Sequence, residues 1–369
     1  MIIRAKTKDL FHGRPLSAKQ RENSRLNLEE LQAGHTVLRS MPRRLVLELT
    51  NACNLNCMMC GRNAATFQPT VFQLDWLRYF EPILDTVEEV TLMGWGEPTI
   101  HKDFVQMLEL IHQHDARIYF CTNGMQLSQL ENAIFDNQVD VFAVSVDGAK
   151  AETNARIRRG SDLNKIVESL RRIKQRQRTS GLSYPYVNFV FCAMKSNLHE
   201  LPDLVHLAAD IGLEEVKVVY LTAFDSILSQ ESLWDCRTEV EAVFQEAAEL
   251  GESLGVTLKL PYLQGEDPAG EALHRDCFVT WRDFFLGSDG MVRPCMSTPV
   301  QFFAFDMNRP FEDMWNDTHF QQYRAQVNTF RMDEPCRRCY QSSHCNWNQK
   351  RSFLQMEETF APAWSKVEA

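Results

Sequence analysis

The stretch Leu45-Val-Leu-Glu-Leu-Thr50-Asn-Ala-Cys53-Asn-Leu-Asn-Cys57-Met-Met-Cys60-Gly decides how the rest of the chain is read. An apolar run ending at Thr50 reads as a strand and hands over to a loop that carries Cys53, Cys57 and Cys60. Thiolates at this C-x3-C-x2-C spacing can converge on one metal centre. Three of them do not complete a structural zinc site, which is closed by four ligands in a tetrahedron. Something else must hold the fourth position.

Outward from this loop, strand and helix patterns alternate, which points to a parallel sheet with helical crossovers. The predicted strands are Leu45–Leu49, Glu89–Met93, Arg117–Cys121, Val139–Val146, Tyr186–Met194 and Glu215–Leu221. Amphipathic segments lie between them, at Gln73–Leu84, Phe104–His112, Asn164–Gln175 and Leu198–Ile211. Ligands of such folds belong at the C-terminal ends of the strands.

Most of the remaining chemistry-bearing residues fall at those ends. After the second strand comes Gly94-Trp95-Gly96-Glu97-Pro98, where glycines allow close backbone approach and a carboxylate can pair with an ammonium group. Taken alone it also reads as a turn with a solvated Glu. Asn123 follows the third strand in Thr122-Asn123-Gly124, and Ser145-Val146-Asp147-Gly148 closes the fourth. Alternation puts Ala143, Ser145 and Asp147 on one strand face and Phe142, Val144 and Val146 on the other. The same rule offers Glu48, the pair Asn188 and Cys192, and the pair Val218 and Tyr220 as substrate contacts, or as rim residues with a structural hydrogen bond.

Beyond about residue 225 the pattern changes. A helix through Glu239–Leu254 and a strand Val256–Leu260 lead to a second cysteine group, Cys277, Cys295, Cys336, Cys339 and Cys345. Asp289-Gly290 between β-rich runs predicts a hairpin that draws Cys277 and Cys295 together. Cys336-Arg-Arg-Cys339 adds a paired thiolate, giving four ligands for a closed cluster or for a four-thiolate zinc knot.

The C-x3-C-x2-C loop after a first strand, followed in order by the other elements, resembles the radical S-adenosylmethionine (SAM) superfamily. The resemblance implies an α/β fold with a partial (β/α)6 barrel, in which Cys53, Cys57 and Cys60 bind three irons of a [4Fe-4S] cluster and SAM chelates the fourth. It implies cofactor contacts from Gly94, Gly96, Glu97, Pro98, Asn123, Ser145 and Arg158, with Trp95 standing where the family usually has glycine. The segment from Cys277 resembles the SPASM/twitch extension, with Met314–Arg324 as its linker helix. Gln349 stands where the full SPASM pattern has a further cysteine, so the resemblance implies one auxiliary [4Fe-4S] cluster on Cys277, Cys295, Cys336 and Cys339, with Cys345 spare. The expected division is 1–42 as an N-terminal extension packed across the barrel bottom or side, 43–235 as the barrel, and 236–369 as linker helix and auxiliary-cluster domain.

Family chemistry is reductive cleavage of SAM to methionine and a 5'-deoxyadenosyl radical, which abstracts a substrate hydrogen. The one-electron donor would be a flavodoxin or ferredoxin. Relatives act on peptides, on protein side chains and on sugars or aminocyclitols, so peptide modification and small-molecule oxidation both stand, with redox-neutral epimerisation a further outcome. A non-catalytic iron-sulfur or zinc redox sensor is the reading from another class. Composition narrows the setting. A formal net charge of -10 argues against a sequence-independent grip on nucleic acid, which depends on Lys and Arg. No run of about 18 apolar residues occurs, and the N-terminus lacks a signal-peptide core, so a cytoplasmic location away from membranes is expected. Eleven cysteines in that compartment favour metal binding over disulfides.

Overall fold

The computed structural model describes residues 14–336, apart from 64–67, 224–225, 262, 264–276, 297, 299, 328, 330, 332 and 334–335. Cys339 and Cys345, and with them one predicted auxiliary ligand, lie outside the described residues. In chain order the strands are β1 (Arg44–Leu47), β2 (Asn56–Cys57), β3 (Glu89–Leu92), β4 (Arg117–Thr122), β5 (Val141–Ser145) and β6 (Arg158–Arg159). They continue as β7 (Tyr186–Ala193), β8 (Glu215–Tyr220), β9 (Thr257–Lys259), β10 (Asp283–Leu286), β11 (Met291–Arg293) and β12 (Phe303–Ala304). All but β2 and β6 form one sheet, ordered β12-β11-β10-β1-β3-β4-β5-β7-β8-β9.

The six predicted strands are β1, β3, β4, β5, β7 and β8, parallel neighbours joined by crossover helices as parallel pairing requires. They form the partial (β/α)6 barrel, and its sides are set by strand alternation. Phe142, Val144 and Val146 enter the core shared with the helices, where Phe142 stacks on Phe120 at 5.2 Å. Burying one such ring is worth about 1.5–3 kcal/mol. Ala143 and Ser145 take the opposite, inner face. Val218 and Tyr220 prove to lie on the helix side, with Tyr220 stacked on Phe244 at 6.2 Å, and so are not substrate contacts. On β8 it is the alternate residues, Glu215, Lys217 and Val219, that face inward.

The barrel borrows from the extension at both margins. β9 pairs parallel with β8, and β10 pairs parallel with β1 in the register Arg44↔Asp283 to Leu47↔Leu286. Arg44 and Asp283, both buried, form an ion pair across that seam. The predicted hairpin is β10-β11, turning at Gly287–Gly290 with Gly290 at φ +76°. Behind it Phe284 meets Phe311 at 5.0 Å, Phe320 at 5.8 Å and Trp315 at 6.3 Å, on helices Phe311–Trp315 and Thr318–Gln326.

The helix Ala18–Gln32 extends well before the short helical pattern at Leu26–Gln32, and it packs at the barrel bottom, one of the two places the sequence left open. Its buried face is polar because it binds backbone carbonyls that precede the strands. Gln20 donates to Val87 O at 2.8 Å and Asp115 O at 2.9 Å, ahead of β3 and β4, and Asn27 donates to Trp281 O at 2.7 Å, ahead of β10.

Candidate active site

At the opposite end of the sheet, β1 runs out into the cysteine loop. Thr50 anchors the exit, donating to Thr70 O at 2.8 Å and accepting from Ala52 N at 3.0 Å. Cys53, Cys57 and Cys60 are all half-buried. Burial raises the Cys53 thiol and pushes Cys57 up to about 11, and the nearby Cys60 and Cys53 add to the effect on Cys57. A positive metal centre is what would hold them as thiolates.

Three donors are already aimed at these sulfurs. Leu55 N approaches Cys53 Sγ at 3.4 Å, Asn123 Nδ2 approaches it at 3.7 Å, and Arg158 Nη1 lies 3.9 Å from Cys57 Sγ. Among the described residues no three His, Cys, Asp or Glu side chains are gathered tightly enough for one metal ion. Three neighbouring thiols, two of them approached by N–H donors, fit a cluster that takes one ligand from each at separate irons.

Buried carboxylates tie the strand ends around this loop to one another. Glu48, just past β1, accepts from Trp95 N at 2.8 Å through one oxygen and from Ser288 Oγ at 2.9 Å through the other. Glu97 accepts from Thr99 Oγ1 at 2.5 Å, Thr122 Oγ1 at 2.7 Å and Asn123 N at 2.6 Å, joining the end of β3 to the end of β4. Burial raises its carboxyl pKa, and these hydrogen bonds oppose the rise. Asp147, past β5, accepts from Cys192 N at 2.7 Å and pairs with Arg158 Nε at 2.7 Å. Burial works against the Arg158 charge, but Asp147 and the thiols of Cys57, Cys192 and Cys121 outweigh it and hold the guanidinium firmly protonated.

The glycines have protein neighbours. A Cβ on Gly94 would stand 2.3 Å from Glu48 Cγ, and one on Gly96 would stand 2.3 Å from the carbonyl oxygens of Thr50 and Ala52. Glu97 N then donates to Ala52 O at 2.8 Å, so the Gly-Trp-Gly-Glu-Pro turn lies directly on the cysteine loop. Pro98 opens the short turn Pro98–Ile100 behind it. Asn123 also donates to Asn54 at 2.7 Å. Ser145, on β5, lies 3.8 Å from Cys121 Sγ on the adjacent β4. Asn123 and Arg158 thus reach the sulfurs of Cys53 and Cys57 and Gly96 and Glu97 lie on the loop backbone, while Gly94 packs on Glu48, Pro98 opens the turn behind, and Ser145 lies on β5 beside Cys121.

Sequence reasoning offered Glu48 as a substrate contact or as a rim residue with a structural hydrogen bond, and the second holds, since both its oxygens serve the protein. It missed the small pairing of β2 with β6, which sets Cys57 against Arg158, with Met58 N donating to Ile157 O at 2.9 Å. Two-residue strands carry no periodic signal. Of the second cysteine group, Cys277, Cys295 and Cys336 are half-buried. The pKa of the Tyr323 hydroxyl is raised mainly by burial, with Asp333, Cys336 and Cys295 adding to the rise.

Residues 47–208 match the Radical SAM superfamily, and residues 277–340 match SPASM, an iron-sulfur cluster-binding domain. The chain is 23% identical over 261 residues to the tungsten-containing aldehyde ferredoxin oxidoreductase cofactor-modifying protein of Pyrococcus furiosus, covering 68% of this chain and 70% of that one. It is 24% identical over 316 residues to PqqA peptide cyclase of Bradyrhizobium diazoefficiens, covering 81% and 79%. The match to mycofactocin maturase MftC of Mycolicibacterium smegmatis, 28% identical, spans 46% of this chain and only 43% of that protein. Among solved structures, Streptococcus suis SuiB bound to S-adenosylmethionine has a TM-score of 0.61 at 14% identity, covering 85% of this chain and 81% of SuiB. SuiB bound to its precursor peptide SuiA has a TM-score of 0.60 at 14% identity, covering 82% of this chain and 70% of SuiB. At this identity the likeness is one of fold.

Proposed function

The chain belongs to the radical SAM superfamily and carries a SPASM-type iron-sulfur extension, and from that premise we propose that it is an enzyme that modifies a peptide or protein by hydrogen abstraction. Its cofactors are S-adenosyl-L-methionine, the [4Fe-4S] cluster that binds it, and an auxiliary [4Fe-4S] cluster. Cys53, Cys57 and Cys60 are the proposed ligands of the first, and Cys277, Cys295, Cys336 and Cys339 of the second. When bound, SAM and its cluster supply a 5'-deoxyadenosyl radical, and the protein's task is to fix its surroundings.

The observation that carries this reading is the set of N–H donors from Leu55, Asn123 and Arg158 turned toward the sulfurs of a three-cysteine loop. Glu97 holds Asn123 in place by accepting its backbone N–H, so the end of β4 cannot drift from the loop. Gly96 lets the next turn lie on that loop. Gly94, Pro98 and Ser145 complete the proposed cofactor rim, and the inward residues of β5, β7 and β8 line the space for substrate.

A peptide is favoured over a sugar or aminocyclitol because the PqqA peptide cyclase relative spans most of both chains and the SuiB fold binds a precursor peptide. Oxidation is the proposed outcome, since an auxiliary cluster can accept the second electron. A flavodoxin or ferredoxin is the proposed donor of the first. The proposed setting is cytoplasmic, away from nucleic acid, and among the described residues no helix is long and apolar enough to cross a membrane. The proposed division keeps 43–235 as the radical SAM unit and 236–369 as the cluster-bearing extension.

The test is anaerobic reconstitution followed by SAM and dithionite. Formation of 5'-deoxyadenosine, about eight irons per chain for two cubane clusters, and a mass change in a short peptide encoded beside the gene are expected. Zinc in place of iron, or no 5'-deoxyadenosine, overturns the reading.

A further inference from the structure

Arg158 was expected at SAM, and the structure gives it two protein partners. Its position follows from backbone pairing, because β6 lies antiparallel to β2 in the register Cys57↔Arg158. One end of the guanidinium reaches Cys57 Sγ at 3.9 Å, while Nε meets Asp147 at 2.7 Å. Asp147 is itself immobilised. It is fully buried, its second oxygen accepts from Cys192 N at 2.7 Å, its N–H donates to Asn154 Oδ1 at 2.9 Å, and its carbonyl accepts from Asn197 at 2.9 Å. Three strand ends, β5, β6 and β7, thereby fix one cation against one thiolate ligand.

We propose that Arg158, held by Asp147, is a positioning residue that sets the reduction potential of the cluster on Cys53, Cys57 and Cys60, in addition to any contact with SAM. This rests on the assignment of that cluster made above. A cation beside a thiolate favours the more negative, reduced form of the cluster, and screening by water is reduced because Asp147 is fully buried and the Arg158 side chain is only 11% exposed. The Asp147 carboxylate subtracts from this field while keeping its source in place. The Asp147–Arg158 pair is therefore a tuning device in which both charges act on the same centre with opposite sign.

The experiment is an EPR-monitored redox titration of the anaerobically reconstituted full chain without SAM, reading both clusters in the same sample. R158Q is expected to move the midpoint of the three-cysteine cluster to a more negative value, with the auxiliary centre unmoved as internal reference. R158K, which keeps the charge, is expected to restore most of the shift. D147N keeps an acceptor for Cys192 N but removes the negative charge, and is expected to move the midpoint in the positive direction. An unchanged midpoint in R158Q with its iron retained overturns the proposal. If R158Q does not hold iron, D147N decides, and no shift there overturns it equally. A wild-type chain that assembles no three-cysteine cluster defeats the functional assignment, which is a different result from a cluster whose potential ignores Arg158.

Discussion

The two cysteine-bearing regions are built in opposite ways. Around Cys53–Cys60 the supports are buried carboxylates, Glu48, Glu97 and Asp147, each spending its oxygens on the backbone or side chains of a neighbouring strand end. Around the hairpin that ends at Cys295 the support is aromatic, with Phe284, Phe302, Phe311, Trp315 and Phe320 packed edge to face. Hydrogen bonds are directional, so a polar frame fixes loop atoms while leaving space between them. Aromatic packing fills space and closes it. The first design suits a site that must admit a ligand, and the second suits a centre bound by protein alone.

Breaking each region separately tests that contrast. The largest effect is expected from C57A, which removes a proposed cluster ligand from the polar frame. 5'-Deoxyadenosine should fall to background while circular dichroism and thermal unfolding stay close to wild type. Loss of fold along with activity would show that the thiol is part of the core. The converse is expected from Phe284→Ala, which empties the centre of the aromatic cluster and should cost about 3–5 kcal/mol in denaturant unfolding. A cost below about 1 kcal/mol would mean that the cluster does not carry the extension.

The seam between the regions gives the next prediction. Burial works against the Asp283 charge, but Arg282 and Arg44 outweigh it and hold the carboxyl well below the usual range. A depressed carboxyl stabilises the fold above its unfolded pKa of about 3.9 and loses that contribution as pH falls toward the folded value. Stability should therefore decline below about pH 4, and D283N should flatten that part of the profile while lowering stability at neutral pH, because Arg44 is left buried beside a neutral group. A wild-type profile that D283N leaves unchanged would remove Asp283 from this account.

A smaller effect should follow Ser288→Ala. It deletes the hydroxyl donated to the Glu48 carboxylate at 2.9 Å, a bond to a charged group worth about 1.5–3 kcal/mol at most. Because Ser288 lies in the hairpin turn and Glu48 also holds Trp95, SAM binding should weaken more than global stability does. Equilibrium binding of SAM read beside thermal unfolding separates the two, and an equal effect on both would make the bond merely structural.

Much of this architecture was legible in advance. The six central strands were readable because apolar alternation is long and regular, although Leu45–Leu49 proved to pair only over Arg44–Leu47, after which Glu48 turns to serve Trp95 and Ser288. The hairpin at Asp289-Gly290 was readable because its turn chemistry is local. Its parallel docking on β1 was not, since nothing in Asp283–Leu286 names a partner more than two hundred residues away. The misassigned face of β8 has a related cause: one face carries Glu215 and Lys217 and the other Val218 and Tyr220, and only the packed helices show which one is the core.

By itself, the sequence determined the strand-helix alternation, the three-cysteine loop after the first strand and the chemical class that loop admits, because each depends on residue types at short, fixed spacings. The tertiary structure alone decided what the buried charges do. Gly94 makes room for Glu48, Glu97 joins two strand ends, and Arg158 lies between Asp147 and Cys57. A side chain's partner is set by which strand ends meet at the mouth of the barrel, and that is a property of the assembled sheet.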